Sequence, residues 1–228
     1  GQSPWVKKKG EIYSQISYTT ISGYEELFGN PETATDRKIT DNTLQFYGEF
    51  GISDKTTLIA SIPLKLVSSG DVVNSALSAR TIEESKSALG NVQFGVKHQF
   101  YKKDWIISGQ LTVEANTGSF ENASGLRTGY DAWSVTPLVL VGRGFDKWYI
   151  QAFTGFDVRT NEYSSNYKLG GEIGYKALDW LWISGFLDGV LSLKKGDLIV
   201  PESNRLTGLY VNDQQYASFG LKLSGEIN

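Results

Sequence analysis

Apolar and polar side chains alternate with a period of two over segments of roughly 10–12 residues, and this narrows the possible folds more than any motif does. From Leu44 one row reads Leu44, Phe46, Gly48, Phe50 and Ile52, interleaved with Gln45, Tyr47, Glu49 and Gly51. Val92, Phe94, Val96, His98 and Phe100 alternate with Gln93, Gly95, Lys97 and Gln99. Trp148, Ile150, Ala152, Phe156 and Val158 alternate with Gln151, Gly155, Asp157 and Arg159. About ten such segments follow one another, from Glu11–Thr20, the least regular, to Tyr216–Ser224. Each is about twice as long as a strand of a soluble sheet and close to a tilted bilayer span.

The connections alternate as well. Short ones at Ser53–Lys55, Lys102–Asp104, Arg143–Lys147 and Ala177–Asp179 are phased with long ones near Ile21–Ile39, Val67–Leu89, Thr117–Tyr130, Thr160–Ser165 and Lys194–Asp213. Short periplasmic turns and longer outer loops are the asymmetry of outer-membrane barrels. The same phase puts residues 1–9 on the periplasmic side, with the Lys7–Lys9 cluster at the headgroups.

No apolar run approaches the roughly 18 residues of a spanning helix; the best candidate, Trp180–Leu193, is broken by Asp188. A chain that crosses lipid as strands must close a barrel, since otherwise backbone N–H and C=O groups go unsatisfied. Aromatic content of 13% at only 40% apolar residues is what alternating strands produce. The predicted fold is all-β: one antiparallel up-and-down transmembrane β-barrel domain over residues 1–228.

A soluble barrel would turn its apolar face inward around a ligand. Two features predict the opposite orientation. The polar rows carry charges of both signs, Glu49, Lys65, Lys97, Glu114, Asp157, Arg159, Lys168, Glu172, Asp188 and Lys222, which suit pairing across a lumen. The apolar rows end in aromatics: Phe100, Trp105, Trp148 and Tyr175 at the short turns, Trp133 and Tyr167 at the long loops, as interfacial girdles do. Tyr47, Tyr149, Phe153, Trp182, Phe186 and Tyr216 share the inward parity and narrow the lumen.

Catalytic chemistry finds no support. There is no Cys, which removes thiol nucleophiles and thiolate metal sites. The one histidine, His98, lies on the outward parity near a short turn, with no Ser–His–Asp set around it. No catalytic residue, metal ligand set or cofactor site is predicted, and a net charge of −3 points to no nucleic-acid partner. The inward carboxylates Glu114, Asp157, Glu172 and Asp188 could form a selective constriction. Pairing with Lys97, Arg159, Lys168 and Lys176 is the favoured expectation, because charges inside a narrow barrel must be paired or wet. Within Val67–Leu89, the stretch SALSARTIEESKSAL reads as a short helix capped by Ser75 or Ser78, either in an outer loop or folded inward as a plug.

Several segments resemble the outer-membrane barrel family named for the meta-pathway of phenol degradation. They are LQFYGEFGISDKTTLIASIPLKL (Leu44–Leu66), LGNVQFGVKHQF (Leu89–Phe100), TGYDAWSVTP (Thr128–Pro137), and the run from Trp148 through Arg159 and Tyr163 to Tyr175 followed by LDWLWISGFLDGVLSL. The resemblance covers most of the chain from about residue 40 onward. It implies a barrel of about twelve strands in a full-length protein, serving as a channel for hydrophobic or aromatic compounds. The last strand runs into Gly225-Glu226-Ile227-Asn228 without a terminal aromatic, so a further hairpin and a gap between the first and last strands are expected. The chain starts at Gly1 and holds no Met, as expected of an exported bacterial outer-membrane protein whose signal peptide has been removed. Two functions remain open: a narrow channel for small or hydrophobic solutes in the lipid bilayer, and a non-transporting accessory subunit bound to other outer-membrane proteins.

Overall fold

The computed structural model describes residues 2–27, 32–74 and 79–225. One antiparallel sheet dominates it. Its strands are β1 (Ile12–Leu27), β2 (Thr33–Ser53), β3 (Thr56–Val72), β4 (Glu84–Leu89), β5 (Gln93–Lys102), β6 (Ile106–Glu114), β7 (Ser134–Gly144), β8 (Trp148–Arg159), β9 (Asn166–Leu178), β10 (Leu181–Ser192) and β11 (Tyr216–Gly225). One short helix, α1 (Glu202–Thr207), precedes β11. No helix among the described residues is long and apolar enough to cross a membrane, which says nothing about strands.

Each strand pairs with the next in sequence, except that β3 takes both β4 and β5 along one edge. The outer half of β3 pairs with β4 (Leu64 opposite Leu89) and the half near the short turn with β5 (Thr57 opposite Lys97). The break falls at Pro63. In an antiparallel ladder a residue turns its N–H and C=O to the same neighbour. The Pro63 carbonyl accepts from Gly90 N at 2.8 Å, so the donor proline lacks would have pointed to this same edge. Where it is missing, the chain bulges through residues 90–92 before resuming as β5.

The alternation predicted from sequence sets the faces. Opposed residues share a face, as with Ile12 and Phe50, Leu58 and Val96, or Leu111 and Pro137. The outer face exposes Ile16, Phe46, Leu58, Phe94, Leu111, Val139, Val158, Ile173 and Leu187, among many others. A contiguous apolar surface of this extent does not stand in water. Aromatic pairs mark its two ends: Trp148 against Tyr175, centroids 4.5 Å apart, and Phe156 against Tyr167 at 5.5 Å. Along β8 these rows are separated by about 26 Å of strand at the usual rise. Trp105, Phe100 and Trp133 lie exposed in the same bands.

Three expectations need correction. The loops predicted at Ile21–Ile39 and Val67–Leu89 are largely strand, because β1 continues to Leu27, β2 begins at Thr33 and β3 continues to Val72. The helix predicted in SALSARTIEESKSAL is strand β4 from Glu84, since β3 offers an edge there; Ser75 and Ser78 lie outside the described residues. Lys7 is expected at the headgroups with Lys8 and Lys9, but residues 2–7 run across the inner wall at the short-turn mouth. Among the described residues no ladder joins β1 to β11, so the sheet curls into an open barrel.

Candidate functional site

Along the inner face, ion pairs run from one end to the other. Lys97 Nζ lies 3.3 Å from Glu49, Lys65 Nζ 2.5 Å from Asp41, Arg159 2.9 Å from Asp157, and Lys222 pairs with Glu172. All but Lys222 are largely withdrawn from solvent, and Lys97 is wholly buried. Neutral donors complete the carboxylates. Tyr47 Oη donates to Glu49 at 2.6 Å, Tyr149 Oη to Glu172 at 2.5 Å, and the amides of Asn91 and Gln93 to Glu114 at 3.0 and 2.6 Å. Lys168 and Asp188 lie on the same face, neither in a salt bridge among the described residues.

Between these rows lies a chamber of about 300 Å³. Its charged lining is Lys65, Glu114, Asp157, Arg159 and Lys168, with Gln45, Gln93 and Asn91 beside them. Tyr130 and Tyr210 roof it. The Arg159 guanidinium stacks on the Tyr130 ring at 3.8 Å, and Lys65 Nζ lies 5.6 Å from the Tyr210 ring centre. Tyr130 also packs edge-on against Tyr163 and Tyr210. Burial pushes the Tyr130 and Tyr210 hydroxyls up from their ordinary value, so both stay neutral donors.

The roof is built by two loops. The first, between β6 and β7, is pinned by Asn91, which donates to Tyr130 O at 2.8 Å and accepts from Gly118 N at 2.8 Å. Thr128 Oγ1 adds a bond to Leu89 O. The second loop carries α1. Tyr24 Oη donates to Thr207 O at 2.6 Å, and Thr207 Oγ1 donates to Gly125 O at 3.0 Å. Gly125 has φ +73°, and a Cβ there would meet Ser203 O at 2.1 Å, so only glycine lets α1 lie this close. Ile39, Val67, Leu126 and Leu209 form a buried apolar cluster beneath, flanked by Tyr24 and Tyr210.

A third connection, after β3, is clipped to the outer part of β2. Asp36 accepts from Arg80 N (2.9 Å), Thr81 N (2.8 Å) and Thr81 Oγ1 (2.6 Å). Asp36 lies 17 residues from the short-turn end of β2 at Ser53, well beyond the roughly 9–11 residues of a span. Burial works to raise its carboxyl, but the donors of Thr81 and Arg80 outweigh it and hold it below the usual range. A carboxyl lowered in the folded state adds stability above its unfolded pKa and loses it as the pH falls through the folded one. Acidifying below the ordinary carboxylate range, through the lowered folded pKa, should therefore free this clip. The Arg80 and Thr81 amides should then exchange faster in hydrogen-exchange measurements, and Asp36→Ala should bring the same change at neutral pH. Amides still protected at the acid end would refute the assignment.

The opposite mouth is crossed by residues 2–9. At the rim Gly10 takes φ +81° and donates to Gly51 O at 2.8 Å. From there the segment runs across the inner wall. Lys7 N donates to Thr57 Oγ1 on β3 at 2.8 Å; Ser3 O accepts from Lys97 Nζ on β5 at 3.0 Å; Pro4 O accepts from Ser108 Oγ on β6 at 2.6 Å. Trp5 meets Tyr149 on β8 edge to face, centroids 6.0 Å apart. Lys7 Nζ sits 4.8 Å from the Tyr13 ring centre, inside rather than at headgroups.

The residues picked out from sequence thus fall into different company. Glu49, Lys65, Lys97, Asp157 and Arg159 are paired on the inner face, while Glu114 and Lys168 line the chamber. His98 stays on the outer face, its Nδ1 2.8 Å from Thr56 Oγ1. No group of three or more His, Cys, Asp or Glu among the described residues is placed to hold a metal. The sequence pattern does not single out Asn91, Tyr130, Tyr210 or residues 2–9 as site residues. Asn91 carries a signal nonetheless, since it shares the inward parity of Gln93 and Lys97 within LGNVQFGVKHQF.

Residues 30–182 match the family described as "Putative MetA-pathway of phenol degradation". Among solved structures, the crystal structure of an outer membrane channel from Pseudomonas putida F1 superposes with a TM-score of 0.62 at 16% identity, over 82% of this chain and 74% of that one. Identity that low carries the fold, an outer-membrane β-barrel. No curated protein matches the chain.

Proposed function

We propose that this chain, a member of the family described as "Putative MetA-pathway of phenol degradation", is a narrow, non-enzymatic channel of the bacterial outer membrane, passing small polar solutes rather than the hydrophobic compounds the resemblance implies. The observation that carries this reading is the chamber of about 300 Å³ lined by Lys65, Glu114, Asp157, Arg159 and Lys168. A solute inside must replace water at charged and amide groups, which a polar molecule does and an apolar one cannot. Tyr130 and Tyr210 line one end of the chamber and residues 2–9 cross the other mouth, so passage is expected to require one or both to move. The apolar outer face supports lipid as its surroundings, with the aromatic rows at the two interfaces.

Reconstitution in a planar bilayer tests the reading. Step-like currents are expected, and Lys168→Glu should shift their selectivity toward cations, because Lys168 lines the chamber in no salt bridge among the described residues. Silence in the native chain and in forms with either mouth opened would leave the second reading, a non-transporting subunit of a larger complex. The free edges of β1 and β11 favour that alternative, since a strand edge in hydrocarbon needs a partner. It predicts elution from mild detergent in a fixed stoichiometric complex, where the channel reading predicts a barrel that conducts alone.

A further inference from the structure

We propose that the solute this chamber takes is a small zwitterion, with an ammonium at one end and a carboxylate at the other, an inference that rests on the channel reading. Five charged side chains line the chamber, and their pairing is uneven. Lys65 is held by Asp41 and Thr43, and Arg159 by Asp157. Glu114 and Lys168 are the two lining charges in no salt bridge among the described residues. They are opposite in sign and border the same space of about 300 Å³, yet no salt bridge joins them.

The surrounding charges leave both groups open to a ligand. Glu114 accepts from neutral amides, Asn91 at 3.0 Å and Gln93 at 2.6 Å. It lies in the field of Arg159, but that guanidinium is committed to Asp157 and to the Tyr130 ring. Lys168 lies in the field of Asp188, a carboxylate shared with Lys222 and outside the chamber lining. Glu114 stands on β6 and Lys168 on β9. Three strand spacings put them about 14 Å apart along the wall. Inward side chains of a curled sheet converge, so their charged tips come closer than that. An anion alone would satisfy Lys168 and be repelled by Glu114, and a cation alone would meet the reverse. A solute with both charges on a short chain satisfies both, through the stronger, charge-assisted kind of hydrogen bond. The chamber is at the small end of ligand cavities, which suits a solute of this size.

A zwitterion carries no net charge, so in the chamber it interrupts a potassium chloride current without adding to it. In planar bilayers γ-aminobutyrate should half-block that current at a concentration about tenfold lower than butyrate or butylammonium needs, the factor that one further charge-assisted contact supplies. Glycine, whose two charges lie closer together, should block more weakly than γ-aminobutyrate. In Lys168→Gln, γ-aminobutyrate should block no better than butylammonium; in Glu114→Gln, no better than butyrate. Lys168→Gln breaks no salt bridge among the described residues, so the test does not hang on the folding of Glu114→Gln. Equal block of the native chain by all these solutes, glycine as effective as γ-aminobutyrate, or an advantage that survives Lys168→Gln overturns the assignment, while the current itself leaves the channel reading standing. Silence in every form overturns the channel reading, and the assignment with it.

Discussion

Replacing Glu49 by leucine should lower the unfolding free energy by about 3–5 kcal/mol, the scale for leaving one charge of a buried pair without its partner. Lys97 is 0% and Glu49 8% exposed at their side chains, so water reaches neither freely. Beyond Glu49, the ammonium donates to Ser3 O at 3.0 Å, a neutral acceptor that cannot replace a carboxylate. The Tyr47 hydroxyl would also lose its acceptor. Glu49→Gln keeps an oxygen in place and should cost less. Glu49→Leu with Lys97→Met should recover most of the loss, because an apolar pair of similar volume removes the desolvation problem. Urea unfolding in detergent micelles reads these differences, as does the temperature at which the folded band converts on a gel. A loss under about 1 kcal/mol would mean that lumen water solvates Lys97, and that the inner half of the barrel is wetter than its packing indicates.

Asn91→Ala should open the outer end. Asn91 satisfies Gly118 N, Tyr130 O and Glu114 Oε1 with one buried side chain, and Gly129 packs directly against it. Removing it strands three groups at about 1–3 kcal/mol each, although the loop can relax part of that away. The expected result is a loop between β6 and β7 that swings off the chamber, taking Tyr130 from above Arg159. Single-channel current should rise severalfold, and the Gly118 amide should lose its hydrogen-exchange protection. Asn91→Asp keeps the acceptor for Gly118 but sets a carboxylate against Glu114, so the loop should stay tethered at Gly118 and loosen at Tyr130. If the current in Asn91→Ala equals that of the native chain while the Gly118 amide is deprotected, the roof is not what limits passage.

Much of the architecture follows from parity alone. Glu49, Lys97, Asp157 and Arg159 could be placed inside because a strand offers only two faces, and Phe50, Val96, Phe156 and Val158 between them demanded the outer one. The least regular segment, Glu11–Thr20, gains its faces from pairing: Ile12 and Ile16 lie opposite Phe50 and Phe46. The outer extensions of β1, β2 and β3 are illegible in the sequence for a related reason. Thr33–Asp41 reads TATDRKITD, and a strand that stands clear of the bilayer has no apolar face to keep, so the periodic signal vanishes while the backbone ladder continues.

What no local pattern carries is what crosses the two ends of the lumen. The bonds that seat residues 3 and 4 join positions 94 and 104 apart in sequence, and they run from side chains to main-chain carbonyls that every residue possesses. The roof brings Tyr24 to Thr207, 183 residues away, and Tyr130 to Tyr210. Alternation encodes which way a side chain points from its own strand, because that is set by the two neighbouring peptides. Which distant backbone it meets across the lumen is set only when the sheet has curled, and so the walls of this barrel are written in the chain while the contacts that cross its two ends exist only in the folded molecule.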